Sequence, residues 1–260
     1  MRRAFLADTH VTDRHDPAYE KLLAFLQHQI EIGTDEIFLL GDIFEYMCGR
    51  HEEYLVEFRE FFVFLGLIAK NKKKLYYFEG NHDIHLSGLF ARFQEKMIIP
   101  IGQIHVCRGP MIFEWEGQRG YVSHGDELAY EEHLYQFYKK FIRSRFMEFF
   151  VNHFLSYRFF LFLARIASKF SRRKRERISR EKGIGREREK LLRGIAKKIA
   201  KDVDILVCGH FHVRENSFEA GLRRLSPGDD GYLLIDEGRC EFLEVPASGV
   251  RREKTFPSGS

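Results

Sequence analysis

Ten polar residues suited to metal binding or proton transfer fall in five short blocks, each just after a short apolar run. They are Asp8 and His10 in Asp-Thr-His, Asp42 in Gly-Asp, Asn81, His82 and Asp83 in Gly-Asn-His-Asp, His124 and Asp126 in His-Gly-Asp, and His210 and His212 in Gly-His-Phe-His. Four blocks carry a glycine, which permits a tight turn and close approach of backbone to a ligand. Asp8/His10 and His210/His212 alternate, so in an extended segment each pair points to one side and can grip one centre. A lone Gly-Asp is an ordinary turn, and a lone His beside a strand is an ordinary hydrogen-bonded residue. Five such blocks need another explanation. Two carboxylates, an amide and four imidazoles gathered at strand ends are costly to desolvate unless ions neutralise them. Donors of this kind, without thiolate, suit Mn²⁺, Fe²⁺, Zn²⁺ or Mg²⁺. The seven candidate ligands Asp8, His10, Asp42, Asn81, His124, His210 and His212 exceed the needs of one ion and match two sharing a carboxylate. Two such ions are a device for in-line displacement at phosphorus.

The elements that must position these residues are legible around them. Arg3 to Ala7, Glu36 to Leu40 and Leu75 to Phe78 read as short buried strands. Between them, Pro17 to Ile32 and Glu52 to Lys70 have helical spacing, the first with Pro in its opening turn. This alternation predicts an α/β sheet with its site at the carboxyl ends of the strands. Further strands are expected over Ile104 to Cys107, Met111 to Trp115, Gly120 to Ser123, Ile205 to Cys208, Tyr232 to Asp236 and Arg239 to Val245. From Leu128 to Ile199 the chain is helical in character and contains no proline, which marks an insertion into the core. Residues 247–260 read as a loose tail. The expected organisation is therefore a core of 1–127 and 200–246 with an insertion at 128–199.

Composition bounds the class. Of 260 residues, 44% are hydrophobic, which excludes wholesale disorder. No run approaches the ~18 apolar residues of a membrane span. The apolar stretch after Met-Arg-Arg is too short for a signal peptide. Cys48, Cys107, Cys208 and Cys240 form no Cys-x-x-Cys pair and read as reduced thiols of a cytoplasmic protein. The formal charge of +4 is unevenly spread: 16 Lys/Arg against 4 Glu fall between Arg165 and Lys201. Ten of the 26 Phe residues lie between Leu134 and Phe170, just before that run. An aromatic face beside a cationic stretch suits a helix lying on an anionic leaflet, with ~1 kcal/mol of attraction per surface cation. The same cations could instead track a nucleic-acid backbone.

In this order the five blocks resemble the calcineurin-like metallophosphoesterase superfamily, and within it the UDP-2,3-diacylglucosamine hydrolase group of lipid A biosynthesis. The grounds for the group are Gly-Asp-Ile-Phe-Glu-Tyr-x-x-Gly at Gly41 to Gly49, the Ser-His-Gly-Asp block and the long helical insertion between His124 and His210. The resemblance implies an α/β fold of two mixed sheets flanked by helices, the insertion serving as a lid for acyl chains that touches the membrane. It also implies a dinuclear, Mn²⁺-preferring hydrolase peripheral on the cytoplasmic face of the inner membrane, releasing UMP and 2,3-diacylglucosamine 1-phosphate. One ion would be held by Asp8, His10, Asp42 and His212. Asp42 would bridge to the second, which Asn81, His124 and His210 complete. His82 and Asp83 would be catalytic, His82 at the phosphoryl group and Asp83 orienting it. Substrate contacts are implied for Asn81, His82 and Asp126, and in the insertion for Arg165, Ser168 and Lys169. Well-studied members of the group carry Arg where this chain has His82; a related branch keeps the His. The alternatives are a phosphodiesterase or pyrophosphatase acting on another nucleotide-linked lipid or sugar, a nuclease using the basic segment, and a scaffold without catalysis.

Overall fold

The computed structural model describes residues 1–100, 102–128, 133–162, 199, 202–219, 221–229, 231–237 and 239–245. Strand β1 (Arg3–Leu6) leads through α1 (Pro17–Glu31) to β2 (Glu36–Leu39), the short β3 (Met47–Cys48), and helices α2 (Glu53–Glu57) and α3 (Arg59–Lys70). Next come β4 (Lys74–Phe78), the short β5 (Asp83–Ile84), α4 (Ser87–Lys96), β6 (Ile104–Cys107), β7 (Met111–Trp115) and β8 (Gln118–Ser123). Helices α5 (His133–Ile142) and α6 (Arg145–Phe154) open the insertion, and residues 157–162 are again helical. The chain returns in β9 (Ile205–Cys208), β10 (Glu215–Glu219), β11 (Leu222–Ser226), β12 (Gly231–Asp236) and β13 (Arg239–Glu244).

Two mixed sheets form the core. One has the order β13-β12-β1-β2-β4-β6 and the other β10-β11-β9-β8-β7. Strands β1, β2, β4 and β6 run parallel in the first, and β8, β9 and β11 in the second. The period of two along a strand decides what covers each face. Ala4, Leu6, Ile37, Leu39, Leu75 and Tyr77 face α1, α3 and α4 through Leu22, Phe25, Phe61, Leu65 and Phe90. The alternate residues Phe5, Ala7, Phe38, Leu40 and Phe78 face the second sheet and meet Phe113, Val122, Ile205 and Val207. Asp16 starts α1 by accepting a hydrogen bond from the Ala18 amide at 2.9 Å, ahead of Pro17 in the first turn.

Several local readings change. The helix expected from Glu52 to Lys70 is two helices, because Phe58 leaves helical geometry at φ −111°, ψ 41°. Its ring then packs against Tyr19, Phe44 and Tyr54. Strands β10 and β11 escape hydropathy because they are polar: Arg224 is buried on Ser217 Oγ and Glu215. Helix α4 and the short strands β3 and β5 are further additions. The run at 165–201 and the tail at 247–260 lie outside the described residues, apart from Ile199.

Candidate metal centre

The five blocks follow β1, β2, β4, β8 and β9, at the carboxyl ends of strands that are parallel within each sheet. Backbone bonds tie the loops together: the Asp8 amide donates to Gly41 O at 3.2 Å and the His10 amide to Asp42 O at 3.0 Å. Among the described residues ten non-glycines have positive φ, and five of them are expected ligands: Asp8, His10, Asp42, His210 and His212. Such backbone is sparsely populated and persists where the surroundings over-determine it. Gly80 lets two loops close on each other, since a Cβ there would meet Asp42 Oδ1 at 2.2 Å.

The seven candidate ligands converge. Ligand atoms of Asp8, His10 and His212 lie within 4.8 Å of one another, as do those of Asp42, His124 and His210. Asn81 Nδ2 stands 3.1 Å from His210 Nδ1 and 3.4 Å from His124 Nε2, and His124 Nε2 is 3.6 Å from Asp42 Oδ2. The neighbouring contacts aim the rings. His124 Nδ1 donates to Leu40 O at 2.8 Å, which turns Nε2 toward the cluster. His10 Nδ1 meets Glu45 Oε2 at 2.8 Å and His212 Nδ1 meets Asp229 Oδ1 at 2.9 Å. Asp8 Oδ1 and His10 Nε2 are buried without a hydrogen-bond partner among the described residues. Buried polar atoms are seldom left so. With a donor set of carboxylate, imidazole and amide, the centre fits divalent metal ions.

Electrostatics agree with a site made to receive cations. Burial pushes the Asp8 carboxyl up to about 6. Burial also acts to raise Asp42, but His124, His82 and His10 outweigh it and hold the group below the usual carboxylate range. For His124, burial opposes the charged form, yet Asp42, Asp8 and Asp126 raise it to about 9. His210 is pushed down to about 3 by burial and by His124.

Two residues differ from their sequence reading. Asp83 was expected to orient His82, but both its oxygens are engaged elsewhere. They accept from the amides of Gly80 (2.7 Å), Ile43 (2.8 Å) and Asp42 (3.0 Å) and from the Tyr77 hydroxyl (2.6 Å). Asp83 is fully buried in the core, while His82 is half-buried with its ring 5.1 Å from that of His10. The carboxylate beside His82 is Glu45, whose Oε2 lies 3.8 Å from His82 Nδ1. Glu45 also completes a group with His10 and His82. Its signal in the sequence was an acid inside the apolar run Ile43-Phe44-Glu45-Tyr46. Asp126, expected at the substrate, is a buried anchor for the insertion: its Oδ2 lies 3.0 Å from Arg143 and 3.5 Å from Lys139. Arg165, Ser168 and Lys169 lie outside the described residues.

The insertion's first helices are seated on the core by polar contacts. His85 Nε2 donates to Ile142 O at 2.7 Å, and the Arg50 amide donates to Asn152 Oδ1 at 2.9 Å. Arg108 holds Glu148 through two bonds of 2.5 and 2.9 Å. Val151 enters a small cluster with Cys48 and Ile84, against which Ile142, Leu155 and Phe160 also pack. Three of the other described rings stay outside: Phe137, Phe146 and Phe154 are 72%, 66% and 68% exposed.

Comparison with known proteins accords with this geometry. Three proteins named UDP-2,3-diacylglucosamine hydrolase are similar to the chain. That of Psychromonas ingrahamii is 28% identical over 136 residues, 52% of each chain. That of Photorhabdus laumondii subsp. laumondii is 29% identical over 141 residues, 54% of each. In these two matches the chain spans about half the relative's length. That of Haemophilus ducreyi is 24% identical over 255 residues, covering 94% of this chain and 100% of its own. The calcineurin-like phosphoesterase family model matches residues 1–214, a span that includes all five blocks. The chain belongs to the calcineurin-like phosphoesterase family.

Proposed function

We propose that the protein is a dinuclear metal-dependent hydrolase of phosphoric esters and anhydrides, and that its substrate is UDP-2,3-diacylglucosamine, split into UMP and 2,3-diacylglucosamine 1-phosphate. The observation that carries the hydrolase reading is the convergence of seven ligand side chains in which Asp8 Oδ1 and His10 Nε2 are buried without hydrogen-bond partners among the described residues. Asp8, His10 and His212 would hold one ion, Asn81, His124 and His210 the other, with Asp42 between them. Bound divalent ions supply Lewis-acid charge at the phosphoryl oxygens and make water a competent nucleophile at neutral pH. Mn²⁺ is the expected metal.

The chain's own residues do the rest. His82 follows ligand Asn81, and its amide is pinned to Asp42 Oδ1 at 2.9 Å, so its half-buried ring is carried to the rim of the cluster. With Nδ1 turned to Glu45, Nε2 is the nitrogen that would give a proton to, or hydrogen-bond, a phosphoryl or leaving-group oxygen. Glu45 holds His10 at the same time. Asp83 fixes the loop by gathering the amides of Gly80, Asp42 and Ile43.

The acylated substrate is supported by the proteins named UDP-2,3-diacylglucosamine hydrolase and by the exposed rings of α5 and α6. An acyl chain gains ~0.8 kcal/mol per buried methylene from such rings. No helix among the described residues is long and apolar enough to cross a membrane. Contact with the anionic cytoplasmic face of the inner membrane would therefore be peripheral, through the insertion.

Purified protein with Mn²⁺ is expected to release UMP from UDP-2,3-diacylglucosamine in preference to UDP-glucose, a dinucleotide or single-stranded DNA. Phe146→Ser and Phe150→Ser should depress turnover of the diacyl substrate while sparing a nitrophenyl phosphodiester. Equal losses on both would remove the acyl role, and preference for single-stranded DNA would replace the lipid reading with a nuclease.

A further inference from the structure

One guanidinium joins the insertion to two of the three loops that carry the second set of ligands. Arg143 lies at the junction of α5 and α6. The junction is fixed from both sides: His85 donates to Ile142 O at 2.7 Å, and Ser144 caps α6 by accepting from the Met147 amide at 3.2 Å. From there, Arg143 NH2 donates to Gly80 O at 2.7 Å and reaches Asp126 Oδ2 at 3.0 Å. Gly80 immediately precedes Asn81 in the loop after β4, in the six-stranded sheet. Asp126 lies two residues beyond His124 in the loop after β8, in the five-stranded sheet. Asn81 meets both His124 and His210 across the sheets, at 3.4 and 3.1 Å.

The other subsite is tied differently. Asp8 Oδ2 accepts from the His210 amide at 2.8 Å, His10 is held by Glu45 and His212 by Asp229. Those tethers all come from the core. We infer that Arg143 is a positioning residue for the Asn81–His124–His210 subsite, so that the insertion builds half of the metal centre besides covering substrate. The inference rests on the two-ion reading above. Both contacts come from the one terminal nitrogen Nη2, whose two hydrogens the planar guanidinium holds in fixed directions, unlike the rotating ammonium of a lysine.

The test is Mn²⁺ titration of the full-length protein by calorimetry and by electron paramagnetic resonance of free Mn²⁺. Asn81→Ala marks which binding step belongs to this subsite. Arg143→Met should weaken that step by about 10- to 100-fold, the scale for a contact behind a metal ligand. The other step should stay within about twofold. Arg143→Lys, which keeps the charge near Asp126, should recover only part of the loss and serves if the Met variant folds poorly. Arg108→Met removes a different seat of the insertion, the Glu148 pair, together with a 3.8 Å approach to Glu79 beside Gly80, and should leave both steps in place. Two steps that shift together, neither step shifting, or the same loss in Arg108→Met would each overturn the inference. A wild-type protein that takes up a single ion would overturn the two-ion reading and this inference with it.

Discussion

Gly80→Ala is the smallest change that should damage the metal centre. The added Cβ would stand 2.2 Å from Asp42 Oδ1, 2.3 Å from the Asp42 amide and 2.8 Å from Asp83 Oδ1. Ordinary contact begins at 3.4 Å, so the nearest atom is roughly 1.2 Å too close. Neither partner yields cheaply. Asp42 Oδ1 is held by the amides of Asn81 at 2.5 Å and His82 at 2.9 Å, and Asp83 by the amides it gathers. Overpacking of this kind costs about 1–3 kcal/mol of stability. A displacement of ~1 Å at reacting groups costs on the order of 10²-fold in rate. Turnover of a nitrophenyl phosphodiester with saturating Mn²⁺ should therefore fall by about two orders of magnitude, with weaker Mn²⁺ binding and a lowered melting temperature. Gly109→Ala is the control, because its Cβ would meet nothing within 4 Å. A Gly80→Ala protein with wild-type turnover and Mn²⁺ affinity would refute the reasoning, since the loops would then be free to part.

Three further outcomes follow from the same geometry. Glu45→Gln keeps an acceptor for His10 Nδ1 but removes the charge, and should lose less Mn²⁺ affinity than Glu45→Ala, for which about 10- to 100-fold is expected; equal, unchanged affinities would leave Glu45 without a part in holding His10. His82→Ala should lower turnover by ~10²-fold or more with both metal-binding steps retained, as measured by paired kinetics and titration. Metal uptake should also strengthen with pH. His124, raised to about 9, and Asp8, raised to about 6, favour their protonated forms and must lose those protons to bind an ion. The apparent affinity should climb about tenfold per pH unit between 6 and 9 and more steeply below 6, with about one proton released near neutrality, read by calorimetry in buffers of different ionisation heat. A flat profile across that range would contradict the assignment of His124 as a ligand.

Much of the centre was legible because its signals are local. A short apolar strand followed by Asp, Asn or His needs no tertiary knowledge, and the alternation of Ala4 and Leu6 with Phe5 and Ala7 already announces a sheet buried on both faces. What escaped depends on contacts far apart in sequence. Glu45 reaches His82 because β3 pairs with β5, placing Met47 opposite Asp83. Asp83 looked like a partner of His82 by adjacency, whereas its oxygens are taken up by the Tyr77 hydroxyl and the amides of Gly80, Asp42 and Ile43. Arg143 and Lys139 are two cations among many in a basic protein, and only the docking of α5 beside the His124 loop singles them out. Strands β10 and β11 were hidden by polar side chains that pair with each other. Phe160 belongs with the docked side of the insertion, while Phe146 and Phe154 face outward, a division that the Phe count alone does not contain.

The central claim is that the five blocks hold two divalent ions on which phosphoester hydrolysis depends. Anomalous diffraction at the manganese edge from Mn²⁺-loaded crystals tests it most directly, with phosphodiester turnover of the same preparation measured before and after chelation. Two anomalous peaks are expected, one among Asp8, His10 and His212 and one among Asn81, His124 and His210, with Asp42 touching both and turnover abolished by the chelator. A single peak at full loading, or peaks away from these residues with turnover that survives chelation, would contradict the account.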